Sequence, residues 1–251
     1  MAAARNPPST CASGAGCLVD QVGARVCGHD SPSALYSGAV KELLVWVDCE
    51  MTGLDLTQDA LIEVAALVTD ADLNVLGEGV DLVVKPNGTA LAQMSEFVRS
   101  MHHASGLLDA LDDGLTMAEA ESRVLDYVRQ FVPEPRKAPL AGNTIGTDRA
   151  FLARDMPTFE HHVHYRSVDV SSIKELVRRW YPRVYYQAPA KTGNHRALAD
   201  VQESIEELRY YREAVFVPPP GPDSLTARSV SRRHQGTLTG AVPLPLPAEE
   251  A

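Results

Sequence analysis

Long apolar runs are absent from this 251-residue sequence. No stretch approaches the roughly 20 apolar residues that a membrane-spanning helix needs, so no membrane span or membrane partner is expected. The N-terminus MAAARNPPST lacks a basic region followed by an apolar segment, which argues against a secretory signal. The first forty residues are rich in Ala, Ser and Gly, as organelle transit peptides are, although Asp20 and Asp30 weigh against that reading. Cysteine is scarce. Cys11, Cys17 and Cys27 lie in the first segment and Cys49 in an apolar run, without the paired CxxC spacing of structural zinc sites. Free thiols and a reducing, cytoplasmic compartment are the expectation. Basic residues are also few, 23 Lys and Arg against 33 Asp and Glu, for a formal net charge of −10. Proteins that track long nucleic acid usually present a broad basic groove, because phosphate neutralisation supplies most of their affinity. An acidic chain acting on nucleic acid would therefore favour short substrates or a small local basic patch.

What is present is an organised centre between two tails. Residues 1–40 show no sustained periodicity and read as a flexible extension. Residues 218–251 begin with PPPGPDS, turn polar and basic, and read as a Pro-rich, disordered tail. Residues 41–217 form the expected domain. Apolar runs at Leu43–Cys49, Leu61–Thr69 and Val80–Lys85, separated by turn-forming residues, predict three consecutive antiparallel strands. Thr116–Phe131 predicts an amphipathic helix, opened by the capping-box spacing of Thr116 and Glu119. A short strand at Pro139–Gly142 leads to a helix from about Thr147. A strand at Tyr165–Val170 leads to a helix capped by Ser171 or Ser172 and ending near Trp180, and a last helix covers about Arg196–Val215. That order predicts an α/β fold with a mixed sheet flanked by helices.

Asp48 and Glu50 stand two apart in a strand and share a face. Paired carboxylates beside apolar neighbours repel each other and lose hydration unless a cation compensates, and hard divalent ions prefer carboxylate oxygen. A solvated strand end is the plainer reading of that pair alone. Asp148 follows a Gly-rich turn that opens a helix, where an ordinary aspartate would interact with the helix dipole. His195 and Asp200 flank the start of the final helix, and His195 alone would pass for a surface or capping histidine. Together these five residues are the parts of a two-metal phosphodiesterase. Ions roughly 4 Å apart bind the scissile phosphate, and a neutral imidazole takes a proton from water near pH 7.

The segments DCEMTGL, LIEVAALVTD, MHHASGL, GNTIGTDRAFL, HYRSVDVSSIKELVRRWYP and GNHRALADVQESIEELRYYRE resemble oligoribonuclease, a family of the DEDDh exonuclease superfamily. The resemblance runs from about Leu43 to Val217, and PGPDSLTAR resembles the continuation in actinobacterial members. It implies a ribonuclease H-like fold, a mixed five-stranded sheet flanked by helices. It also implies 3′-to-5′ hydrolysis of very short single-stranded RNA, down to dinucleotides, to nucleoside 5′-monophosphates. It further implies two Mg²⁺ or Mn²⁺ ions and a homodimer. Asp48, Glu50, Asp148 and Asp200 would be metal ligands and His195 the general base. On the substrate side it implies Leu54 as a wedge against the bases, Phe97 in place of the family's usual stacking tryptophan, Thr144 in place of a common serine, and His102. Arg166 and Ser171 would cap the 5′ phosphate, with Tyr165 arriving from the partner subunit. The bland alternatives are strand packing for Tyr165, a surface charge for Arg166 and a helix cap for Ser171. His103, His161, His162 and His164 read as loop or surface residues. Two other functions compete: an exonuclease of the same superfamily that trims longer DNA or RNA, and a non-catalytic nucleic-acid-binding module. The presence of all five required side chains counts against the second.

Overall fold

The computed structural model describes residues 42–86, 88–190 and 195–235; the expected N-terminal extension, with Cys11, Cys17 and Cys27, lies outside the described residues. Strands β1 (Leu44–Met51), β2 (Leu61–Thr69) and β3 (Val75–Val83) form the expected antiparallel meander. Strands β4 (Pro139–Gly142) and β5 (His164–Asp169) follow, and the five-stranded sheet has the order β3-β2-β1-β4-β5. β4 runs parallel to β1, and β5 parallel to β4. Side chains alternate across a strand, so β1 faces two cores. Val45, Val47 and Cys49 pack towards helices α4 (Met117–Phe131), α5 (Gly146–Asp155) and α6 (Pro157–His162). Trp46 packs on the other face with α7 (Val170–Trp180) and α9 (Ala197–Val215). All nine residues of β2 are buried, as a strand covered by helices on both faces requires.

Helix α4 has the capping box its sequence announces: the Thr116 hydroxyl accepts from Glu119 N and the Glu119 carboxylate accepts from Thr116 N. Short helices α1 (Ala90–Gln93), α2 (Glu96–Ala104) and α3 (Leu107–Ala110) roof a small cluster containing Ile62, Met94 and Leu107. They are too short to show periodicity in sequence, as is α8 (Pro182–Tyr185).

Four expectations need correction. β3 begins at Val75, five residues early, because Gly77 and Gly79 adopt left-handed φ values of 74° and 84° and interrupt the alternation. The register jumps there from Ala66↔Val80 to Val68↔Leu76, and a Cβ on Gly79 would lie 2.5 Å from Leu67. The cap of α7 is Asp169, which accepts from Ser171 N, rather than Ser171 or Ser172. His162 is buried, with Nε2 2.8 Å from the Val132 carbonyl oxygen. In the C-terminal segment expected to be disordered, Ser224–His234 form helix α10, opened by Asp223 accepting from Thr226 N. Its residues are exposed all round, so no apolar stripe marks the helix in sequence.

Tyr127 from α4 plugs the β2–β3 irregularity, its hydroxyl accepting from Val68 N at 3.1 Å and donating to Leu76 O at 2.9 Å. Tyr127→Phe strands both backbone groups, so stability should fall by about 1–3 kcal/mol. In urea titration the midpoint should fall with the slope unchanged.

Candidate active site

The same alternation that buries Val45 and Val47 on one face places Asp48 and Glu50 on the face of Trp46, towards α9. Asp200 lies in the first turn of α9. Carboxylate oxygens of Asp48, Glu50 and Asp200 lie within 4.8 Å of one another. Glu50 is 9% exposed. Burial, followed by the charges of Asp200, Glu63 and Asp148, pushes its pKa up to about 8. Asp148 reaches the strand from α5 on the opposite core face. β4 pairs with β1 only at Val45 and Trp46, and further along β1 the Cys49 amide donates to Asp148 Oδ1 at 3.0 Å. Burial pushes the Asp148 carboxyl up to about 6. Burial first, then these same carboxylates, holds the Cys49 thiol in its protonated, unreactive form.

Such a donor set fits a divalent cation. Its atoms are hard carboxylate oxygens, and carboxyls that resist ionising together are relieved by a positive charge between them.

Glu63, absent from the expected site, fixes where α9 begins. It is the cross-strand partner of Glu50 and is fully buried. Its carboxylate accepts from Arg196 Nε at 2.8 Å and from the Ala197 amide at 3.0 Å, with Arg196 Nη2 at 2.6 Å. Arg196 occupies the N-cap position of α9 without capping it through its own side chain. Glu63 instead satisfies the first helical N–H from across the sheet. The sequence signal was available: one carboxylate stands among the eight apolar or neutral residues of LIEVAALVT. His195 precedes this anchor, exposed and with φ of 47°.

Thr144 is a second residue in the left-handed region, with φ of 53°. A β-branched side chain rarely adopts that conformation, which costs of order 1–3 kcal/mol and persists only where the surroundings impose it. Here Asp169 imposes it. Its Oδ1 accepts from Thr144 N, from Ser171 N and from the Ser171 hydroxyl at 2.6 Å, so one carboxylate holds both expected substrate residues. The adjacent Asn143 donates to Ser204 Oγ and Glu207 on α9, and Ser204 in turn donates to Asp200 O. Leu54 (74% exposed) follows β1 and Phe97 (78%) lies on α2, both open to solvent. Tyr165 and Arg166 are exposed on β5. His102 is different: it is fully buried. Its Nε2 lies 2.9 Å from the Met51 carbonyl, which can only accept, so that nitrogen carries the proton and Nδ1 faces Glu50 Oε2 at 3.8 Å.

Comparison with known proteins points to exonucleases. The RNase_T family, described as Exonuclease, matches residues 45–208. A Streptomyces coelicolor oligoribonuclease is 67% identical over 195 residues, 78% of this chain and 98% of that protein. The Cutibacterium acnes oligoribonuclease is 65% identical over 199 residues, covering 79% and 98%. Among solved structures, exonuclease I from Methylocaldum szegediense is 25% identical with a TM-score of 0.52, covering 69% of this chain. E. coli exonuclease I in complex with a dA16 oligonucleotide, 16% identical with a TM-score of 0.56 over 70% of this chain, shares the fold. This chain spans 41% and 42% of those two larger proteins. The family match covers all the residues of the acidic cluster, and with the extent of identity to the curated relatives it shows that the chain belongs to the oligoribonuclease family of exonucleases.

Proposed function

We propose that this protein is a cytoplasmic, homodimeric 3′-to-5′ exoribonuclease that degrades very short single-stranded RNA, down to dinucleotides, to nucleoside 5′-monophosphates. The observation that carries this reading is the convergence of Asp48, Glu50 and Asp200, with Asp148 arriving from the other core face. The four carboxylates would hold two divalent ions, Mg²⁺ or Mn²⁺. Bound there, the ions would supply positive charge that favours ionisation of the attacking water and stabilises the leaving oxygen.

His195, on the segment before α9, accepts the proton as the water oxygen bonds to phosphorus and the bond to the 3′ oxygen breaks. The exposed Leu54 and Phe97 offer apolar and aromatic surface for the terminal bases. Thr144 and Ser171, held together by Asp169, form the turn that faces the 5′ end at the start of α7; a 5′ phosphate there would take over donors that now serve the Asp169 carboxylate. Arg166 adds charge-assisted hydrogen bonds to a 5′ phosphate, and Tyr165 serves the partner's site. The acidic balance of the chain, a formal net charge of −10, supports short substrates over a long, non-specific track. RNAs of graded length, labelled at the 5′ end and incubated with each metal and with chelator, test the reading. A ladder descending to monomers only with metal, fastest on dinucleotides, supports it. Faster trimming of twenty-mers than dinucleotides refutes the length assignment.

The Glu50 shift sets a pH dependence. Its folded value of about 8 lies above the ordinary 4.5, so its contribution to stability is complete below about pH 4.5 and is lost as pH rises through about 8. Metal requires the ionised form, so binding releases a proton. The metal-free protein should therefore lose melting temperature between pH 5 and 9, Glu50→Gln should blunt that loss, and Mg²⁺ or Mn²⁺ should raise the melting temperature more at pH 8 than at pH 6. A base role for His195 predicts that His195→Ala lowers kcat about 10²–10⁴-fold while calorimetric metal affinity stays near normal. A large loss of metal binding would make it a ligand instead. Arg166→Ala should reduce kcat/KM for 5′-phosphorylated dinucleotides about tenfold more than for unphosphorylated ones, the scale of one charge-assisted hydrogen bond.

A further inference from the structure

The strand that carries Tyr165 and Arg166 departs from regular pairing at those two residues. Pro139 of β4 stands opposite His164, and the next residue, Leu140, stands opposite Ser167. One step along β4 therefore takes three along β5, and Tyr165 and Arg166 have no partner in the sheet. Bulges of this kind re-aim side chains, and their backbone groups need acceptors or donors elsewhere. Here one guanidinium supplies them. Arg149 Nη1 donates to Tyr165 O at 3.1 Å, to Arg166 O at 3.4 Å and to Ser167 Oγ at 3.0 Å. Nη2 donates to His164 O at 3.0 Å. Glu160 Oε1 accepts from Nε at 3.2 Å and from Nη2 at 2.7 Å, which fixes the plane of the fork. The side chains of Arg149 and Glu160 are 16% and 18% exposed, so water replaces little of this. At the crest of the bulge the Arg166 amide donates to His164 Nδ1, and the Arg166 guanidinium carbon lies 5.6 Å from the centre of the Tyr165 ring.

Arg149 follows Asp148 on α5, so the helix that brings a carboxylate to the end of β1 also holds the bulge. We propose that Arg149 is a positioning residue that sets the preference for a 5′-phosphorylated end, by holding the 165–166 bulge at a fixed place relative to Asp148. This rests on the reading that Arg166 caps the 5′ phosphate beside the same chain's Asp148, while Tyr165 on the same bulge serves the partner's site. The device needs arginine. Lysine keeps the charge opposite Glu160 but has three donors on a flexible stem, and it cannot serve the carboxylate, three carbonyls and a hydroxyl at once.

The test uses the full chain and the variants Arg149→Lys, Arg166→Ala and the double variant, with steady-state kinetics on dinucleotides with and without a 5′ phosphate. Arg149→Lys should raise KM for the phosphorylated dinucleotide about tenfold, through a weakened charge-assisted contact, with a smaller change in kcat. The double variant should show no further loss of 5′-phosphate preference beyond Arg166→Ala, because both changes remove the same contact. Equal losses on both substrates, or additive effects on the preference, overturn the proposal and leave Arg149 a structural ion pair. If Arg166→Ala leaves the preference intact, the 5′-end reading itself fails, and the proposal falls with it. Should Arg149→Lys not fold, Ser167→Ala removes one acceptor of the clamp; a smaller shift of the preference in the same direction supports the role, and none overturns it.

Discussion

Carboxylate oxygens of three side chains held within 4.8 Å of one another repel, and much of the structure around β1 holds them together against that repulsion. Asp48 and Glu50 cannot move apart because they belong to a strand paired along its length with β2. Asp200 cannot withdraw because α9 is tied to the sheet by Glu63, Arg196 and Ala197. Asp148 is kept at the strand edge by the Cys49 amide. The result is a group of acids of which Glu50 and Asp148 resist ionisation, with pKa values near 8 and 6. This is stored electrostatic energy, and a divalent cation would release it. Affinity for metal and instability without it are two aspects of one arrangement.

A second layer of constraint holds the residues proposed to face the substrate. Thr144 and His195 both carry positive φ, an unfavourable state for side chains with a Cβ. Each sits beside an ionic or hydrogen-bonded anchor, Asp169 for Thr144 and the Glu63–Arg196 pair for the segment after His195. Arg149 does the same for the bulge at Tyr165 and Arg166. In all three places an irregular backbone is held by a buried or half-buried charge, which is why such residues recur beside functional positions without touching substrate.

Much of this was legible in the residues themselves. Period-two alternation placed Asp48 and Glu50 on one face, and the capping box of Thr116 and Glu119 located α4 to within a residue. The resemblance of the segments around Asp148, His195 and Asp200 to a known family indicated an exonuclease, and the family match agrees. The early start of β3 was hidden, because glycines at 77 and 79 break the alternation on which strand recognition depends. Helix α10 was hidden because it buries no apolar face. Glu63 could have been found as the lone acid in an apolar strand, whereas Asp169 and Arg149 carry no such mark.

The sequence by itself determined the local structure, the solvent-averse positions and the residue types available for metal and phosphate. Periodicity, capping and side-chain chemistry are properties of neighbours along the chain. Tertiary structure alone decided which acids meet, that Glu63 reaches Arg196 across 133 positions, and that Arg149 finds three carbonyls of another element. It also decided that His102 is buried against Met51 and Glu50 while Leu54 and Phe97 stay open. Those outcomes depend on the order of strands in the sheet and on which helix covers which face, which arise from the packing of distant segments and are not properties of any one of them.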